Sequence, residues 1–81
     1  MTLYDMMNGT TLQGHIEVKK LDDDGNELKS CFYENCEDLS GADLPDGWED
    51  YNVTYIYPQK LTRRHWTWVE ETSCLVIEVS E

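Results

Sequence analysis

Four groups of side chains in this sequence are of types that could do chemistry. The turn Asp22-Asp23-Asp24-Gly25 gathers carboxylates around a glycine bend, as calcium loops do. Its spacing argues against that use. With Gly25 at the sixth loop position, the first ligand would fall on Lys20 and the closing bidentate ligand on Cys31, and neither is a carboxylate. A solvated hairpin turn suits the composition better. Cys31 and Cys36, five residues apart, join Cys74 and His65 in a set of the ligand types that structural zinc takes. No second close pair completes the set, so free thiols are the simpler reading and a structural zinc the alternative. Nucleophilic catalysis needs a Cys or Ser beside a base that a third group orients. Cys74 or Cys31 can be written next to His65 or His15, but nothing in their spacing brings them together. The chain is therefore expected to be non-enzymatic and to need no metal or organic cofactor.

The fourth group is the most distinctive: Lys60, Arg63, Arg64, His65, Trp66 and Trp68 interleave cations with aromatics. Such a pattern can clamp phosphates and stack bases. It can equally anchor a protein interface, where Trp and Arg carry a disproportionate share of the binding energy. The surrounding charge decides between them. Residues 1 to 57 hold thirteen acids against three bases, residues 58 to 69 hold three bases and no acid, and residues 70 to 81 add four acids, for a net charge of −11. A field of that sign repels nucleic acid and speeds encounter with basic partners. A basic protein surface is the expected partner, and a nucleic-acid contact through residues 60 to 68 is the alternative.

The elements that would position these groups follow from patterning. Thr2 can cap a first helical turn with Asp5 reaching back to it, placing Leu3, Met6 and Met7 on one face, and Asn8-Gly9 offers a left-handed stop. A helix this short must lie on something apolar. Leu12, Ile16 and Val18 alternate with His15, Glu17 and Lys19, which predicts a half-buried strand near residues 14 to 21. The Asp-Gly turn leads to a second alternating run near residues 27 to 33, and the two should pair as a hairpin. Residues 34 to 50 carry seven acids with Gly41, Pro45 and Gly47, so they read as a surface connection pinned by Leu44 and Trp48. Residues 51 to 57 are rich in β-branched and aromatic types and are expected to end at Pro58. Residues 74 to 79 form the last strand, with Leu75, Ile77 and Val79 on one side. For residues 59 to 73 the alternation of Thr62, Arg64, Trp66 and Trp68 favours extended structure.

At 81 residues, 40% of them hydrophobic, the chain can hold one domain, residues 1 to 81, with a thin core. The fold class expected is α+β: a single antiparallel sheet of about four strands, with a meander as the first guess at strand order, and one short N-terminal helix packed on it. No run approaches the ~20 apolar residues of a membrane span, and the N-terminus lacks the form of a secretion signal. Three cysteines form an odd set without the spacing of a disulfide scaffold. A cytoplasmic location is expected.

The runs Thr2-Leu3-Tyr4-Asp5-Met6-Met7-Asn8, Thr11-Leu12-Gln13-Gly14, Asp23-Asp24-Gly25, Val53-Thr54-Tyr55-Ile56-Tyr57 and Leu75-Val76-Ile77-Glu78-Val79 together cover most of the chain. In these runs it resembles small acidic proteins encoded by conjugative transposons and prophages of Gram-positive gut bacteria. The resemblance implies a setting on a mobile element and carries no site residue onto this chain. The stretch from Lys60 to Trp68 is longer here than in that pattern. A protein in this setting is expected to bind a basic protein, with DNA mimicry open to it if its carboxylates line one face. The residues expected to meet a partner are Trp48, Arg63, Arg64, Trp66 and Trp68 as anchors, with Glu34, Glu37 and Asp38 as the acidic approach.

Overall fold

The computed structural model describes residues 1 to 81. Its first element, helix α1 (Leu3–Gly9), begins at a reciprocal cap: the Asp5 amide donates to Thr2 Oγ1 at 3.2 Å, and the Thr2 amide donates to Asp5 Oδ2 at 3.1 Å. Two of the backbone donors at the helix start are thus satisfied, and the Leu3 amide donates to the Tyr51 carbonyl at 2.9 Å. The helix stops at Gly9 without entering the left-handed region; the chain leaves through an extended Thr10 instead. The buried side chains of α1, Leu3 and Met6, point at the sheet.

Strands β1 (Gly14–Leu21) and β2 (Glu27–Cys36) form the expected hairpin. Its turn is organised by Asp22, whose Oδ1 accepts from the amides of Asp24 (2.9 Å) and Asn26 (2.8 Å), while Gly25 takes a φ of 86°. Asp22 is thereby spent on the backbone, in the manner of an Asx turn. Residues 37 to 51 contain two 3-10 turns, Leu39–Gly41 and Trp48–Asp50. Strands β3 (Asn52–Arg64) and β4 (Val69–Ser80) form a second, longer hairpin.

One helix on one four-stranded sheet gives the α+β class, and three of the expected strands lie where alternation placed them. The order is β2-β1-β4-β3, with β1 and β4 parallel and the outer pairs antiparallel. This corrects the meander and the wholly antiparallel sheet. The reason lies in β4, whose Cys74, Val76, Ile77 and Val79 are all buried, so that both faces of the strand are covered. Such a strand belongs at the centre. By contrast β2 exposes most of its residues and takes an edge. The acidic stretch from 37 to 51 is accordingly a crossover that carries the chain from one edge to the other, laying Leu39 and Trp48 on the helix side.

The core is the layer between α1, the crossover and the inner face of β1 and β4: Leu3, Met6, Ile16, Val18, Leu39, Trp48, Ile77 and Val79. Tyr33 ties the edge strand to the crossover by donating its hydroxyl to the Asp43 carbonyl at 3.0 Å, and burial pushes its pKa up to about 12. The opposite face carries no helix, and Cys74 and Val76 are buried there by the side chains of the flanking strands. There Val76 is flanked in register by Glu17 and Tyr57, and Lys19 lies 3.6 Å from Glu17 and 3.7 Å from Glu27. The Tyr57 hydroxyl donates to Glu78 Oε2 at 3.2 Å on the same face.

Strand β3 does not end at Pro58. Pro58 pairs in register with Leu75, and the ladder continues to Arg64 opposite Val69. An edge position tolerates the missing N–H. Because β1 meets β4 only from Leu75 onward, the distal half of the β3–β4 hairpin has no neighbouring strand. It extends as a two-stranded arm, one face of which shares a groove with His15, Phe32 and Glu34, and the molecule measures 44 × 29 × 19 Å. No helix is long and apolar enough to cross a membrane.

Candidate functional site

The arm displays the cation and aromatic segment. Strand alternation sorts its side chains onto two faces: Arg64 pairs with Val69 on one, and Arg63 pairs with Glu70 on the other. At the tip the His65 amide donates to the Trp68 carbonyl at 2.9 Å, and the two rings stack with centroids 3.8 Å apart and planes 12° from parallel. His65 Nε2 also lies 3.4 Å from Glu70 Oε2. This stacking fixes the loop and leaves Trp66 fully exposed at its apex, with Trp68 55% and Val69 56% exposed beside it. Trp66 takes no part in the hydrophobic core.

The charges of the arm are only partly free. Lys60 pairs with Glu71 at 3.8 Å, whereas Arg63 and Arg64 make no ion pair. Counting Glu70 and Glu71, residues 59 to 73 carry a net charge of only +1. That is a poor phosphate clamp but a serviceable protein contact.

The structure brings Arg63, Arg64, Trp66 and Trp68 together, as their proximity in sequence implied. Trp48 is a correction: it is 4% exposed and belongs to the core cluster, so it cannot meet a partner while the crossover is folded. Glu34 lies beside the outer half of the arm, where it shares a groove of about 300 Å³ with Phe32, Leu61 and Arg63. Glu37 and Asp38 lie farther along the crossover, and Asp38 Oδ1 caps a 3-10 turn by accepting from the Ser40 amide at 3.1 Å. Of the three acids, then, Glu34 alone shares a groove with the arm.

Sequence reasoning missed a second surface. Between α1 and the crossover lies an open cleft of about 720 Å³ with Tyr4 and Met7 on one wall and Asp38, Asp43, Asp46 and Glu49 around it, and no cation lines it. The density of acids in residues 34 to 50 was the available signal; which of them converge depends on the path of the crossover. The carboxylates of the β1–β2 turn belong to a separate patch, because that turn lies at the other end of β1.

The candidate zinc ligands are dispersed. Cys31 and Cys36 pack toward the core side of β2, Cys74 faces the other side of β4, and His65 sits at the arm tip. No three His, Cys, Asp or Glu side chains stand in a metal-binding arrangement. Burial pushes the Cys74 thiol pKa up, which opposes the thiolate that nucleophilic or ligand chemistry needs. His15 is occupied in stacking on Phe32, with ring centroids 6.3 Å apart. No protein-family model, curated protein or solved structure matches this chain.

Proposed function

We propose that this chain is a non-enzymatic accessory protein of a mobile element that binds a basic protein surface, steered by its acidic body and anchored by the tip of the arm. One observation carries the reading: Trp66 stands fully exposed at the end of a hydrogen-bonded β-ribbon, with Trp68 and Val69 half exposed beside it. The net charge of −11 supports it from the other direction. Charge of one sign raises the rate of encounter, while affinity comes from aromatic side chains that lose their water on contact. A ribbon presents them at little entropic cost, since its backbone is already ordered.

Pull-down from source-cell extract tests the proposal. A basic protein should be recovered, with recovery falling as salt rises and as Glu34, Glu37 and Asp38 are neutralised. The Trp66→Ala/Trp68→Ala variant should bind at least about 30-fold more weakly, the equivalent of one strong interface anchor. The unpaired Arg63 and Arg64 favour a second reading, a nucleic-acid contact. Direct binding of DNA or RNA that disappears on replacing those two arginines would overturn the first reading in its favour.

A further inference from the structure

We infer that the chain associates head to tail with a second copy of itself, the arm of one copy seating in the acidic cleft of the next. The inference rests on the reading that the arm is a binding surface and goes beyond it, giving the arm a second occupant besides the basic partner: the acidic cleft of another copy. The two surfaces are complementary in charge and in apolar character. The arm offers two arginines without ion pairs and an exposed indole. The cleft offers Asp43, Asp46 and Glu49, also without ion pairs, beside the apolar surface of Tyr4 and Met7. Arginine matches carboxylates in its planar fork, and Met and Tyr are good floors for an indole. At about 720 Å³ the cleft falls within the ~300 to 1,000 Å³ typical of clefts that seat a ligand group.

The arm does not serve its own cleft. None of the residues from 59 to 73 lines it, and the arm is a direct continuation of the β3–β4 ladder, paired from Asn52 opposite Ser80 out to Arg64 opposite Val69. Folding it back would break that ladder. A second copy has no such constraint. Two different surfaces then meet, so the contact is heterologous and propagates unless a ring closes. The bodies repel at −11 each, but screening over about 8 Å at physiological salt leaves the contact to local charges at the end of the arm.

Sedimentation of the full chain, scanned from about 10 µM to about 1 mM to suit a small transient contact, tests this. The mean mass should rise with concentration from 9.5 kDa to beyond twice that value. An arm variant, Arg63→Glu/Arg64→Glu, and a cleft variant, Asp43→Lys/Asp46→Lys, should each stay at the monomer mass. Mixed in equal amounts they should form a dimer and stop there, because only one working junction remains. That complementation also shows that both variants fold. A wild-type mass constant over the range, a mixture that stays monomeric, or association unaffected by either variant would each overturn the inference. If the wild type stays monomeric while the pull-down still recovers an arm-dependent basic partner, self-association fails and the proposed function stands.

Discussion

Replacing Ile77 by alanine removes three carbons from the middle of β4, where the side chain is fully buried between Val18 of β1 and Ile56 of β3 in register. At about 0.8 kcal/mol per buried methylene the transfer loss alone is about 2.4 kcal/mol. The cavity adds to it, for a total of about 3 to 4 kcal/mol. A domain of this length is stable by about 4 to 12 kcal/mol, so the change removes a large part of the margin. Thermal unfolding followed by circular dichroism should show Tm lower by about 12 to 32 °C, at roughly 4 to 8 °C per kcal/mol. Ile56→Ala is the control. Ile56 is the partner of Ile77 on the same face but is 47% exposed, at an edge strand. It should cost under about 1.5 kcal/mol. If Ile77→Ala cost no more than Ile56→Ala, the placing of β4 at the centre of the sheet would be wrong.

Acid should act measurably through Asp22, whose carboxyl is held below its usual pKa chiefly by the Asn26 amide. The stability from that shift is full above the unfolded value of about 3.9 and is lost as pH falls through the lowered native value. The stability gap between wild type and Asp22→Asn should therefore shrink as pH drops below about 4, and a gap that widened there would contradict the assignment. Native mass spectrometry of protein purified without chelator should give the metal-free mass. One stoichiometric zinc lost on Cys36→Ser would instead establish the zinc reading.

The local elements were legible because their causes are local. Thr2 and Asp5 are three residues apart and cap the helix directly, and the alternation of Ile16 and Val18 with Glu17 and Lys19 survives as buried against half-buried positions along β1. Strand order was not, because pairing Ile16 with Leu75 is decided by which strands must be covered on both faces, and that is a property of the whole sheet. Pro58 misled for a related reason: it stops a central strand but not an edge, and edges are assigned only once the order is known. Within the site, the arm could be read because Arg63 to Trp68 are contiguous. The cleft could not, since Tyr4 and Asp46 are joined only by the fold. Trp48 carried two readings, a pin for the crossover and a partner anchor, and because its ring is one of the largest apolar groups the crossover can bury, it serves as the pin.

The parallel pairing of β1 with β4 also dictates an order of events. Each hairpin can form from near neighbours in microseconds. The ladder between them joins residues as distant as Ile16 and Leu75, and closing so long a loop costs entropy before any contact rewards it. Until β4 is made, β1 has an uncovered edge and α1 has only half its floor. Folding should therefore wait on this one seam, with β1 exposed as a template for unwanted pairing in any nascent or truncated chain that lacks β4.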